Sequence, residues 1–292
     1  MVWKTPAYAK TNFGVSVDDV LSHLTPYLPV AISHSTLNKC FSFGYIAKGI
    51  VYILIGGFTL ATVLGFSGGG GIEGPKGIIQ WVSNQTFGNI LVGLLGLGLL
   101  GYALWRIYRG IADPTREGHD PSGVIKRIGY VVSGLANGTL AVLALRLAIG
   151  GGGGGDGQSK QGMVAKMLAE PWGQWVVGIV GAIVIGVGLF QIRKGIKAEF
   201  VKDISWHRIS NDTIKKIGRY GHIARGVVFG IIGYFLILAA TKSSASEFKG
   251  TEGALEYLAD NAYGLWLLGI TAFGLLLYGV FAVMKGRYGR VA

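Results

Sequence analysis

Six long apolar segments separated by shorter polar ones dominate the chain. They run near Gly44–Gly65, Phe87–Tyr108, Ile128–Ile149, Gly173–Ile192, Gly221–Thr241 and Gly264–Met284. Each approaches the roughly 20 residues a helix needs to cross a bilayer's hydrocarbon layer. The runs are continuous rather than alternating, so they predict helices and not strands. A mostly polar segment, residues 1–42, precedes them. In it Ser16 is placed to cap a helix, and Val17, Val20, Leu21 and Leu24 share one face. That pattern predicts a short amphipathic helix.

The segments repeat. The odd-numbered ones open alike, as FGYIAKG at Phe43–Gly49, IGYVVSG at Ile128–Gly134 and YGHIARG at Tyr220–Gly226. Downstream, Gly77, Gly88, Gly93 and Gly110 match Gly162, Gly173, Gly178 and Gly195, and then Gly253, Gly264, Gly269 and Gly286. A basic residue precedes the last glycine each time, as Arg109, Lys194 and Lys285. The expected organisation is therefore an N-terminal segment (1–42) and three two-helix repeats, 43–113, 114–200 and 201–292. Two spans per repeat start every repeat on the same side, so the repeats are parallel and imply a pseudo-threefold axis. Between the two spans of each repeat, apolar residues fall at Ile78, Ile79 and Val82, at Met163, Val164 and Met167, and at Ala254, Leu255 and Leu258. This spacing predicts a short interfacial helix on the outer surface. Gly49, Gly134 and Gly226 precede Gly56, Ala141 and Gly233 by seven residues, about two turns, which predicts faces of close helix contact. The pairs Gly226/Gly230 and Gly134/Gly138 add small-xxx-small spacing. The fold class is thus an all-α integral membrane protein.

Composition sharpens this picture. Half of the 292 residues are apolar and only 14% are charged, against roughly 25% charged in soluble domains. Nineteen Lys and Arg residues lie at the chain ends and in the second and fourth connections, and five lie in the other three. Positive loops stay cytoplasmic, so both termini are expected there. The net charge of +12 follows from this bias. Nucleic acid is not an expected partner, since no aromatic platform or recognition motif accompanies the basic residues. The single cysteine, Cys40, has no partner for an intrachain disulfide. The first apolar run starts too far along to be a removable signal peptide.

Ionisable groups inside spans are the first candidates for function. Lys48, Ser133 and Arg225 occupy equivalent repeat positions, with Tyr45, Tyr130 and His222 just before them. They would form a ring at an inner mouth. Contact with an anionic head group or solute is one role for Lys48, Arg225, Tyr45 and His222, and snorkelling to lipid phosphates is the simpler one. Arg146 is expected to snorkel outward and Asn137 to hydrogen-bond a neighbouring helix. No catalytic, metal or cofactor residues are expected: the histidines form no ligand pair, Gly150–Gly155 lacks the ending of a phosphate loop, and every Asp and Glu falls in a loop or tail.

The repeated motif resembles the bacterial domain-of-unknown-function 1206 family over about Phe43–Gly289. It is carried by Gly44, Tyr45, Ala47, Lys48 and Gly49, by Gly129, Tyr130 and Gly134, and by Gly221, His222, Ala224, Arg225 and Gly226. The second copy departs from it at Val132 and Ser133. The resemblance implies a small protein of the bacterial inner (plasma) membrane with three tandem two-helix repeats, and it supplies no activity. Mitochondrial carriers share only the plan, for their Pro-x-Asp/Glu-x-x-Lys/Arg signature is missing from the odd spans. The expected function is not enzymatic. It is an accessory or structural protein binding lipids, other membrane proteins or copies of itself; the alternative is a carrier or channel for a small, anionic solute.

Overall fold

The computed structural model describes residues 34–66, 71–113, 117–118, 120–151, 160–201, 211–260 and 263–288. These contain nine α-helices and no strand: α1 (His34–Val63), α2 (Pro75–Ser83), α3 (Gly88–Ala112), α4 (Pro121–Ala148), α5 (Lys160–Leu168), α6 (Gly173–Lys197), α7 (Asn211–Thr241), α8 (Thr251–Ala259) and α9 (Gly264–Tyr288). Two compact units divide the chain, Met1–Leu37 and Asn38–Ala292, and the bundle belongs to the second. The helix expected over Ser16–Leu24 and most of the glycine run at 150–155 lie outside the described residues.

Six helices are long and apolar enough to cross a membrane: Phe41–Val63 of α1, α3, Lys126–Ala148 of α4, α6, Asp212–Thr241 of α7, and α9. The first, third and fifth long helices run on well past their apolar segments at the N-terminal end, since hydropathy marks the apolar stretch and not the whole helix. Their C-terminal ends share one cap. Phe66, Gly151 and Ser244 each donate a backbone N–H to the carbonyl five residues back, on Ala61, Arg146 and Ala239. The residue before each donor (Gly65, Gly150 or Ser243) has positive φ, as a Schellman cap requires.

The seven-residue glycine pattern marks close contacts, as its spacing predicts. A Cβ on Gly49 would stand 2.7 Å from the Gly279 carbonyl oxygen, and one on Gly56 2.6 Å from that of Ala272, both on α9. A Cβ on Gly134 would meet the Ala103 carbonyl of α3 at 2.9 Å. On α7, Gly226 and Gly233 would meet the Gly188 and Gly181 carbonyls of α6 at 2.6 and 2.8 Å. The last glycine of each repeat lies at the same kind of seam: Gly110 against the Arg127 carbonyl of α4, Gly195 against that of Arg219 on α7, and Gly286 against that of Ser42 on α1. The second span of each repeat therefore packs on the first span of the next, and the last long helix packs on the first. The small-xxx-small pairs are less tight: Gly230 backbone N would stand 3.0 Å from a Cβ on Gly188, but a Cβ on Gly230 itself would meet nothing within 4 Å, and one on Gly138 only Ala103 Cβ at 3.8 Å. Seven residues turn a helix to within about 20° of the starting face, whereas four overshoot by about 40°.

The short helices form where expected. In α2 and α8, Ile78, Ile79, Val82, Ala254, Leu255 and Leu258 turn into the bundle and join its main core. The second repeat is looser. Met163 of α5 is exposed, and Val164 joins a separate small core with α6 and α7. In the span windows of α4 and α6, 17% and 22% of residues are buried, against 39% to 50% in the other four.

One connection between repeats is electrostatic. Glu117 accepts from Arg109 at 2.9 Å, from Lys126 at 3.0 Å and from the Tyr130 hydroxyl at 2.7 Å, tying the end of α3 to the start of α4. Partial burial alone would raise its pKa. The Tyr130 and Lys126 hydrogen bonds and the positive charges of Arg109 and Lys126 outweigh that and hold it below the usual range. The staple thus stabilises the fold above the ordinary carboxylate pKa and is lost as pH falls through the lowered value. Melting curves in detergent are expected to lose stability on acidification below about pH 4.3, and Glu117→Gln is expected to flatten that loss.

The glycine seams give a second prediction. Gly226→Ala forces a methyl group against α6 backbone and is expected to cost about 1–3 kcal/mol. Gly57→Ala, at a position with open space beyond it, is expected to be neutral or to stabilise by up to about 1 kcal/mol. Thermal denaturation of the two variants side by side makes the comparison.

Candidate functional site

Four helices carry three basic side chains and a set of tyrosines to one place. Lys48 sits seven residues into the first span, about 10 Å along the helix. Its Nζ donates to the Tyr102 hydroxyl of α3 at 2.9 Å and stands 4.3 Å from that ring's centroid. Arg225 of α7 repeats the arrangement: Nη1 donates to the Tyr278 hydroxyl of α9 at 2.8 Å. Each pair joins the two spans of its own repeat. The Tyr52 ring meets Tyr278 edge-on at 4.8 Å and lies 6.0 Å from Lys48 Nζ and 5.7 Å from the Arg225 guanidinium, so it links the pairs.

The third cation is Arg106 of α3. Its Nε donates to the Ser133 hydroxyl of α4 at 3.4 Å, and its guanidinium stacks 4.7 Å from the Tyr130 ring. Ser133 marks the place where the second repeat lacks the basic residue of the other two, and Arg106 brings a charge there from the neighbouring repeat. Sequence comparison missed it because its equivalents are Gln191 and Ala282; the missing charge at Ser133 was the one signal that could have drawn attention to a substitute.

Snorkelling does not describe Lys48 or Arg225. Both turn inward, and Lys48 is only 2% exposed. The positive charges of Arg106 and Arg225 act directly on Lys48. No carboxylate answers them among the described residues, where the ion pairs lie elsewhere, on Glu117, Asp212 and Glu247. Tyrosine hydroxyl oxygens and ring faces offset part of the charge. Arg225 Nε is buried without a hydrogen-bond partner. Burying cations with neutral partners alone is costly, and an anion placed among them would recover that cost through charge-assisted bonds.

Tyr45 and His222 lie one layer away. Tyr45 packs on Phe41 at 4.6 Å and on Tyr102 at 5.0 Å, under Lys285 Nζ at 4.7 Å. His222 Nδ1 donates to the Gly218 carbonyl at 2.8 Å, and its ring stacks on Phe200 at 4.8 Å. They border the cluster through Tyr102 and Tyr278 while their own contacts are aromatic. This layer also joins repeat to repeat: Arg109 lies 4.3 Å from the Tyr130 ring, and Lys285 occupies the same place on Tyr45 at 4.7 Å.

Other sequence candidates fall outside the cluster. Asn137 donates to the Ser133 carbonyl of its own helix at 2.7 Å, not to a neighbouring helix. Arg146 is exposed in the last turn of α4. Among the described residues no three His, Cys, Asp or Glu side chains gather as a metal site requires. Two apolar grooves, of about 440 and 470 Å³, run beside Trp175 and Ile237 and beside Phe43 and Leu94, and neither includes a basic residue.

The Lys48–Tyr102 bond is open to test. Tyr102→Phe leaves a buried ammonium without its acceptor and is expected to cost about 1–3 kcal/mol. Tyr234→Phe, at an exposed ring, is the control in thermal denaturation.

Comparison with known proteins places this architecture. The chain is 38% identical over 248 residues to an uncharacterized protein, YxxB, of Bacillus subtilis (strain 168), covering 84% of this chain and 88% of the relative. No solved structure matches. The family model Domain of Unknown Function (DUF1206) matches three times, over residues 43–113, 128–198 and 220–289. With a helix pair in each match and the same glycine seams between them, the chain belongs to the DUF1206 family.

Proposed function

We propose that this protein is an accessory component of the bacterial inner (plasma) membrane that binds an anionic group at the Lys48–Arg106–Arg225 cluster and catalyses no reaction of its own. The observation that carries the reading is the gathering of three cations, Lys48 buried and Arg106 and Arg225 partly so, with no carboxylate paired to them among the described residues. Six long apolar helices, with outward residues such as Ile90, Leu97, Leu104, Ile270 and Phe273 exposed, support membrane insertion. The Lys/Arg bias supports cytoplasmic termini. Pseudo-threefold symmetry is supported by matching seams, with α9 on α1 as α3 is on α4 and α6 on α7. On this topology the cluster lies toward the cytoplasmic side. Tyr52, Tyr102 and Tyr278 occupy the space around the cations, which favours holding an anion over passing it through a conduit.

Inorganic phosphate is the simplest probe. Delipidated protein in a neutral detergent is expected to gain melting temperature saturably with phosphate. At a hundredfold excess over Kd the gain corresponds to about 2.7 kcal/mol. Chloride at matched ionic strength is the reference. The double variant Arg106→Gln with Arg225→Gln is expected to lose the response. An equal shift in the double variant, or none in the native protein, overturns the reading.

A further inference from the structure

The second repeat leaves open the interface that the first and third repeats close. In those two, Gly44 and Gly221 press on the backbones of Tyr102 and Tyr278, where an added Cβ would come within 2.6 Å. Ala47 and Ala224 sit against Gly98 and Gly274 and are 3% and 8% exposed. The equivalents in the second repeat share none of this. A Cβ on Gly129 would meet nothing within 4 Å. Val132 and Ile183, at the places of the alanine and the glycine, are 56% and 57% exposed. Phe190 is 43% exposed where Trp105 and Phe281 are each 2% exposed.

The chemistry of the opening follows from the sequence. The lysine–tyrosine and arginine–tyrosine bonds that pin the other repeats shut would here join Ser133 to Val187, which cannot hydrogen-bond through its side chain. Valine and isoleucine stand where alanine and glycine make the close approach, and both are left uncovered, so the facing sides of α4 and α6 form an apolar opening, the cleft. On α4 the residue after Val132 is Ser133, whose hydroxyl accepts from the partly buried Arg106.

We infer that this cleft holds one acyl chain of an anionic phospholipid, whose phosphate seats between Arg106 and the Ser133 hydroxyl with the charges of Lys48 and Arg225 behind them. The inference rests on the anion-binding reading of the cluster and names the ligand's class. Charge complementarity selects an anionic lipid over a neutral one, because the nearby Glu117 is engaged by Arg109, Lys126 and Tyr130, and Arg106 pairs with no carboxylate among the described residues. The cleft's apolar walls select a lipid over a free phosphate, because they give an acyl chain burial that a small ion cannot use. A phosphate drawn below the ordinary head-group plane needs donors waiting there, and Arg106 presents a planar fork for it.

The experiment uses the full chain extracted from bilayers of mixed phosphatidylglycerol and phosphatidylcholine, with retained lipids and oligomeric state read by native mass spectrometry. The native protein is expected to be monomeric and to keep one phosphatidylglycerol, and to keep no phosphatidylcholine. Arg106→Gln is expected to reduce retention about tenfold. Val132→Trp, which fills the cleft from α4, is expected to reduce it about as much while leaving the response to inorganic phosphate intact. Ile183→Trp does the same from α6, and circular dichroism confirms that each variant is folded. Retention unchanged in both tryptophan variants overturns the lipid inference and leaves the anion site standing, as does a phosphate response with no lipid retained, or a dimer that covers the α4–α6 face. Loss of both phosphate response and lipid retention in the native protein overturns the anion site and the inference together.

Discussion

Backbone-to-backbone approach between the second span of one repeat and the first span of the next is the constraint on which this architecture stands. Gly49 against Gly279 and Gly226 against Gly188 leave no room for a methyl group. Between helices this apolar on all sides, small residues let backbones approach closely and gain van der Waals packing. The glycines provide that packing, and they recur at each seam between repeats. The aromatic layer lies along the same seams, with Tyr45 met by Lys285 of α9 and Tyr130 by Arg109 of α3.

The seams fix the basic cluster in turn. Lys48 and Ser133 lie one residue before the seam glycines Gly49 and Gly134. With the glycine facing the neighbouring repeat, the preceding side chain is turned about 100° around the helix. For Lys48 and Arg225 that direction leads to a tyrosine on the other span of the same repeat. For Ser133 it leads toward Arg106, which reaches across from α3.

What the sequence revealed was mostly periodic. The six spans, the three copies, the short helices and the seven-residue glycine faces were all legible, because each is a spacing along one helix. The partner of each face was not, since nothing local to Gly49 says that α9 comes to meet it. The inward turn of Lys48 and Arg225 stood only as an alternative to snorkelling for a related reason. Hydropathy reports depth in the membrane and not direction around the helix, and the accepting hydroxyls of Tyr102 and Tyr278 stand more than fifty residues away. The short helices show the same limit, as their apolar residues were evident while the surface that covers Ile79 and Leu255 was not.

The packing of α9 on α1 also bears on how the molecule is made. Neighbouring repeats find each other soon after synthesis, because their seams join segments close in the chain. The seam of Gly49 and Gly56 waits for the last helix, a contact of high sequence separation that forms late. Until then α1 keeps a bare glycine stripe, open to pairing with the wrong helix. Folding therefore has an interval of exposure that ends only when α9 docks.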